Sequence, residues 1–263
     1  DYFLASKSLP WWAVGASLIA ANISAEQFIG MSGSGFKIGL AIASYEWMAA
    51  LTLIIVGKYF LPIFIEKGLY TIPQFVEQRY STNLKTILAV FWISLYIFVN
   101  LASVLYLGAL ALETIMGIPM LYGVLGLGLF AAAYSLYGGL SAVSWTDVIQ
   151  VVFLVMGGLV TTYLSLDAVS GGAGMWAGFS AIYDAAPDKF AMILDKDHPE
   201  YMNLPGIGVL VGGMWVANIY YWGFNQYIIQ RTLAAKSLKE SQRGILFAAG
   251  LKLILPLIVV IPG

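Results

Sequence analysis

Long apolar runs separated by short polar stretches extend along the whole chain. Apolar windows bounded by charges and prolines predict seven transmembrane helices, over residues 10–35, 38–64, 84–112, 120–137, 143–167, 206–230 and 245–262. Windows of about 20 apolar residues are long enough to cross a hydrocarbon layer of about 30 Å. The stretch "GLYTIPQFVEQRY" mixes apolar and polar positions and predicts a short interfacial helix after Pro73. The pattern therefore predicts an all-α, polytopic membrane protein.

Two of the predicted spans are interrupted by polar residues. The first contains "NISAEQ" (22–27), and the sixth contains "NIYYWGFNQ" (218–226). Transporters built from inverted repeats break the first helix of each repeat near the membrane centre, where the freed backbone lines a polar cavity. Interruptions in spans one and six predict a five-plus-five architecture, with a first repeat over 1–168, an outside connection over 169–205 and a second repeat beginning at 206–263. Alternatively, these amides only bind neighbouring helices.

Composition agrees with a membrane protein. Hydrophobic residues make up 60% of the chain, charged residues 10%, and the mean hydropathy is +0.83, whereas about a quarter of the residues in soluble domains are charged. The net charge of −1 and the lack of a long basic run exclude nucleic acid as an expected partner. Cysteine is absent, so we expect no disulfide and no cysteine metal site. The chain starts at Asp1, without methionine or a signal-peptide pattern, and we interpret it as a fragment.

Charge in the connections predicts the orientation in the bilayer. Residues 65–83 contain Lys67 and Arg79, and residues 231–244 carry four Lys or Arg residues. The connection 168–205 is acidic instead. Because short basic loops stay in the cytoplasm, we expect the two basic connections inside and 168–205 outside.

Ionisable residues within spans are costly and point to function. Glu46 lies in the second span and Lys252 in the seventh. Together with the amides of Gln27 and Asn218 they offer both donors and acceptors, and facing one cavity from opposite sides they would suit a neutral polyol such as a sugar. Alternatively, Glu46 and Lys252 form a pair that only ties helices together. Glu26 would point about 100° away from Gln27 on a helix, and we interpret it as structural.

Aromatic and acidic residues beside the spans suggest two further interpretations. The "YYW" run (220–222) adjoins the second interruption, where a ring can stack on the apolar face of a sugar; the alternative is packing. Asp147 in "WTDVIQ" is predicted to cap the N-terminus of the fifth span.

Other functional classes lack their characteristic sequence features. There is no repeated filter motif of an ion channel. The chain also has no H-E-x-x-H motif and no matched acidic dyad within the spans, so we do not expect an enzyme.

Four stretches, "YFLASKSLPWW", "NISAEQFIG", "YSLYGGLSAVSWTDVIQ" and "YYWGFNQYIIQR", resemble the sodium:solute symporter family, in its sodium/glucose cotransporter branch. The resemblance covers the whole chain. It implies a LeuT-type fold, with one helix before Asp1 and the rest of the second repeat after Gly263. It also implies sodium-coupled uptake of a galactose- or glucose-like sugar across a bacterial inner membrane. The alternative is a related symporter for an amino acid, carboxylate or other polyol.

The resemblance implies roles for individual residues. The implied sugar-binding residues are Gln27, Glu46, Asn218 and Lys252. The implied inner gate is Tyr221, braced by Asn22, and the outer side is closed by Met31 and Tyr45.

The resemblance also implies a sodium site. The backbone carbonyls of Ala20 and Ile23 would form its first-helix half, and its hydroxyl ligands would lie beyond Gly263, so the site is expected to be incomplete in this chain. Asp147 would line the route by which sodium leaves. One departure concerns sugar specificity, because Ala49 stands where the family pattern has a serine.

Overall fold

A computed structural model describes residues 2–23, 25–204 and 206–263, except the side chains of Ala25 and Glu26. The helices are α1 (Trp11–Asn22), α2 (Ala25–Ile38), α3 (Leu40–Glu66), α4 (Ile72–Arg79), α5 (Thr82–Met116), α6 (Met120–Val169), α7 (Met175–Ala185), α8 (Gly206–Phe224), α9 (Gln226–Leu233) and α10 (Leu238–Val259). No strand forms within these residues, although one parallel bridge joins Leu9 to Ala235. The all-α prediction is confirmed. The expected structural role of Glu26 falls on a side chain outside the described part.

The predicted spans correspond to observed helices. Among the described residues, five helices are long and apolar enough to cross a membrane: α3, α5, α6, α8 and α10. The predicted fourth and fifth spans both lie in α6, where they meet at Gly139, which has φ 55° and ψ −152°. A side chain at Gly139 would come within 2.6 Å of the carbonyl oxygen of Tyr2, so this junction requires glycine. The short helix predicted after Pro73 is α4, which begins one residue earlier.

Both predicted interruptions are present. Helix α1 ends at Asn22 because Ile23 is extended, with φ −95° and ψ 108°, and the chain resumes as α2. Ser24, between them, lies outside the described residues. In the sixth span a π-helical turn, Tyr220–Phe224, leads to Asn225, whose φ of −82° and ψ of 121° separate α8 from α9. This break lies at the C-terminal end of the predicted polar stretch.

Helix α1 lies at the centre of the fold. Its residues from Ala13 to Ile19 are buried, and it packs between α6 and α10. Gly15 and Gly244 allow α1 and α10 to approach closely, because a Cβ at Gly15 would lie 2.6 Å from the Gly244 carbonyl oxygen. Helix α3 also packs against α10 and contacts α8. This packing brings the break after α1 next to the helices that carry Glu46, Asn218 and Lys252.

Candidate substrate cavity

A cavity of about 400 Å³ lies between α2, α3, α8 and the C-terminal end of α1. Its lining residues are Asn22, Gln27, Gly30, Met31, Ser34, Ile42, Tyr45, Glu46, Ala49, Ala217, Asn218, Tyr221 and Trp222. The volume lies within the range of about 300–1,000 Å³ that is usual for small-molecule sites. Three of the four predicted sugar-binding residues and all four predicted gate residues are on its walls. The fold therefore gathers these residues from four helices, α1, α2, α3 and α8, around one space.

Glu46 is the centre of the polar network beside this cavity. One carboxylate oxygen accepts a hydrogen bond from Gln27 Nε2 at 2.8 Å, and the other pairs with Lys252 Nζ. Lys252 also donates to Asn22 Oδ1 and lies 5.2 Å from the centroid of the Trp222 ring. A buried charge is tolerated only when it is paired and hydrogen-bonded. The pairing therefore keeps both charges in the protein interior. The side-chain amides of Gln27 and Asn22, which bond to the pair, line the cavity.

Lys252 lies behind the cavity wall. Its side chain is 0% exposed, and it contacts the lining residues Glu46, Asn22 and Trp222 without lining the cavity itself. The expectation that Glu46 and Lys252 face the cavity from opposite sides is wrong, because α3 and α10 pack side by side and bring the two groups into contact. A direct contact between Lys252 and a solute remains a prediction.

The two broken helices are joined through Tyr221. Asn22 Nδ2 donates to the Tyr221 hydroxyl at 3.1 Å, and this hydroxyl also lies 2.9 Å from the hydroxyl of Tyr227 on α9. The contact between Asn22 and Tyr221 expected from the resemblance is thus present in the structure. Tyr45 is 40% exposed, and Met31 is buried beside Gln27.

Only part of the aromatic run borders the cavity. Tyr221 and Trp222 line it, whereas Tyr220 turns away and stacks on Trp92 of α5, with ring centroids 5.0 Å apart and an interplanar angle of 17°. The rings available to a solute are therefore those of Tyr221 and Trp222.

Asp147 occupies a second buried polar cluster. It lies two turns into the helix that follows Gly139, so the predicted N-cap role is wrong: the side chain is too far from the free N–H groups. Its Oδ2 atom accepts from Ser17 Oγ at 2.5 Å and lies 3.4 Å from Arg231 NH2. Arg231 Nε donates to Ser17 Oγ at 2.9 Å. Asp147 therefore links α6 to α1 and α9.

Three residues in these networks were not anticipated from the sequence. Arg231 counts in the sequence only as one of the basic residues of 231–244, and Ser17 and Tyr227 carry no predicted role. The available signal was helical spacing, since Arg231 follows Tyr227 by four positions and donates to its backbone carbonyl. In the same region, Ser144 Oγ is buried and has no hydrogen-bond partner within the described residues.

A helical protein whose first and sixth spans are broken beside a shared polar cavity has the architecture of the LeuT-type fold. A solved structure of a Na+-coupled sialic acid symporter, described as substrate-bound and outward-open, has the same fold, with a TM-score of 0.85 and 24% identity. The similarity covers 100% of this chain and 54% of that one.

The sequence pattern of the sodium:solute symporter family matches residues 2–263. The chain belongs to this family, which confirms the resemblance described above. It is 76% identical to a sodium/glucose cotransporter of Vibrio parahaemolyticus, 34% identical to the human sodium/myo-inositol cotransporter 2 and 37% identical to the uncharacterized symporter YidK of Escherichia coli. These matches cover 100% of this chain but 48%, 40% and 47% of the relatives. The chain thus spans about half the length of the curated relatives it matches, or less.

Proposed function

We propose that this protein is a sodium-driven symporter that takes up a galactose- or glucose-like monosaccharide by alternating access. The observation that carries the proposal is that Gln27, Glu46 and Asn218 all line one cavity. These groups offer several donors and acceptors but no net charge, because Lys252 neutralises Glu46. Sugar hydroxyls need such a set, whereas an amino acid or a carboxylate needs an unpaired opposite charge. The high identity to a sodium/glucose cotransporter supports the same substrate class.

Sodium, as the co-transported ion, would bind at the break of the first span. The carbonyls of Ala20 and Ile23 are hard oxygen ligands, and the extended backbone of Ile23 removes its carbonyl from the helical ladder. Asp147, which is buried beside Ser17, would line the exit route. A ligand shifts a conformational equilibrium only through its different affinity for the two states. Sodium would therefore favour the form in which Asn22 braces Tyr221.

Uptake into proteoliposomes tests the proposal. Radiolabelled galactose should accumulate under an inward sodium gradient and should not accumulate when choline replaces sodium. Unlabelled glucose, myo-inositol, an amino acid and a dicarboxylate serve as competitors that rank the substrate classes. Ala49→Ser is a matched cavity variant, since Ala49 lines the wall and the added hydroxyl should alter the preference among sugars. Uptake that is unchanged in choline, or competition only by the charged solutes, would contradict the proposal.

The proposed orientation places 65–83 and 231–244 in the cytoplasm of the bacterial cell and 168–205 outside. Because the chain has no cysteine, single cysteines can be introduced without a competing thiol. In intact cells, a membrane-impermeant thiol reagent should label Asp188→Cys and should label Lys239→Cys only after permeabilisation. The reverse pattern would invert the assignment.

A further inference from the structure

Asn225 forms the break between α8 and α9 and is held by the third span. Its side chain is buried, with 4% of the residue exposed. The hydroxyl of Tyr96 on α5 donates to Asn225 Oδ1 at 2.8 Å. The backbone carbonyl of Asn225 accepts from the amides of Ile228 and Ile229 at 3.2 Å and 3.0 Å, which starts α9. Asn225 therefore accepts hydrogen bonds from the first turn of α9 with its backbone carbonyl and from α5 with its side chain.

Tyr96 also contacts the residue that adjoins the proposed gate. Its ring packs edge-on against Tyr227, with centroids 5.7 Å apart. The hydroxyl of Tyr227 lies 2.9 Å from that of Tyr221, which accepts from Asn22. A continuous series of contacts thus connects the third span to the point where the two broken helices meet.

The local backbone explains why such support is needed. Helices α8 and α9 are joined through one extended residue, and the five residues before it form a π-helical turn. Tyr96 itself begins another π-helical turn, Tyr96–Leu101. Such turns interrupt regular helical hydrogen bonding and occur often at functional sites. A single torsional change at Asn225 would swing α9 relative to α8, and the Tyr96 hydroxyl opposes that change.

We propose that Tyr96 is a positioning residue for the Tyr221 gate: its hydrogen bond to Asn225 holds the sixth-span break in the gate-closed geometry, and the gate opens when this bond breaks. The proposal rests on the proposed symporter function. Tyr96 does not line the cavity, so it acts through Asn225 and Tyr227.

The test uses three variants: Tyr96→Phe, Asn225→Ala, and the double variant that combines these two changes. Each is compared with the control variant Tyr106→Phe. Phenylalanine keeps the ring that packs on Tyr227 and removes only the hydroxyl. Tyr106 is on the same helix, is 54% exposed and has no hydrogen bond within the described residues, so its variant is a matched control. One hydrogen bond of about 0.5–1.5 kcal/mol corresponds to a change of roughly two- to tenfold in an equilibrium.

Two measurements are made on each variant. Sodium-free efflux of preloaded galactose should rise two- to tenfold in each single variant, and the double variant should not exceed the larger single effect. Spin labels on the cytoplasmic ends of α1 and α9 should show a population at longer distance in Tyr96→Phe but not in Tyr106→Phe. The label distances report the gate whether or not transport occurs.

The outcomes separate the two proposals. If wild-type protein shows sodium-driven uptake but Tyr96→Phe matches Tyr106→Phe in efflux and distance, the role of Tyr96 is overturned and the symporter function stands. If wild-type uptake does not depend on sodium, the symporter function is overturned. The spin-label distances alone then decide whether Tyr96 holds the break. Additive effects in the double variant would show that Tyr96 and Asn225 do not act as a pair, which overturns the inference.

Discussion

Two buried ion pairs among the residues that the structure describes have similar chemistry and different surroundings. Glu46 and Lys252 have side chains 7% and 0% exposed, and Asp147 and Arg231 have side chains 7% and 11% exposed. The first pair contacts both halves of the broken first span, through Asn22 of α1 and Gln27 of α2. The second pair contacts α1 through Ser17.

The difference between the pairs lies in what their remaining hydrogen bonds reach. Glu46 and its amide partners form the cavity wall, so a solute can compete for their donors and acceptors. Asp147 and Arg231 bond instead to Ser17 and to the backbone carbonyl of Tyr227, and none of the four lines the cavity. Burial of a carboxylate in a span is therefore not enough to indicate substrate binding; the position of its partners decides.

The largest expected effect is the loss of Lys252. Lys252→Ala leaves the Glu46 carboxylate buried without its counter-charge, and breaking a buried pair costs about 3–5 kcal/mol of stability. The double variant Glu46→Gln/Lys252→Met removes both charges and should recover most of the melting temperature but not sugar uptake. Thermal unfolding in detergent and uptake per folded molecule measure the two properties. Recovery of uptake in the double variant would show that the pair only ties helices.

A smaller effect is expected at the second pair. In Arg231→Met, Ser17 still donates to Asp147, and Arg231 is 11% exposed whereas Lys252 is 0% exposed, so water can reach the vacated position. The loss should therefore be nearer to that of one charged hydrogen bond, about 1.5–3 kcal/mol. Equilibrium binding of labelled galactose should remain close to that of wild type, because Arg231 does not line the cavity. A drop in affinity as large as that of Glu46→Gln would remove the distinction between the two pairs.

Asn22 connects the first pair to Tyr221, the proposed gate, and should have an intermediate phenotype. Asn22→Ala removes an acceptor for Lys252 and the donor to Tyr221, so we expect a loss of roughly two- to tenfold in sodium-coupled uptake. Sugar affinity should fall less than coupling does. Binding and sodium-driven uptake measured on the same preparation test this; an equal fall in both would make Asn22 an ordinary substrate ligand.

The smallest effect is expected for an exposed pair. Lys85 Nζ donates to Glu77 at 2.7 Å, and this hydrogen bond holds the pKa of Glu77 below its ordinary value. A lowered pKa in the folded state gives stability that is present above the ordinary pKa and lost as pH falls through the folded value. Because the pair is solvated, Glu77→Gln should leave the melting temperature unchanged at neutral pH. A clear shift in the melting temperature of Glu77→Gln would mean that burial does not separate strong ion pairs from weak ones in this protein.

Much of the fold and part of the site follow from sequence. The polar residues of 22–27 and of 218–226 predict helix breaks because unsatisfied backbone at membrane depth requires polar surroundings. The same reasoning identifies Glu46 and Asn218 as cavity residues, since polar groups within a span turn away from lipid. These inferences depend on local composition and on periodicity, which a sequence displays directly.

Other features were decided by packing between distant segments. Ser17 and Asp147 are 130 positions apart, Tyr96 and Asn225 are 129 apart, and Glu46 and Lys252 are 206 apart. The sequence by itself determined that this chain is a membrane protein with two broken spans and ionisable groups between its helices. Only the tertiary structure decided which groups meet, because the rotation of each helix about its axis is set by contacts such as Gly15 with Gly244. That rotation puts Glu46 on the cavity wall, Lys252 behind it and Asp147 against Arg231.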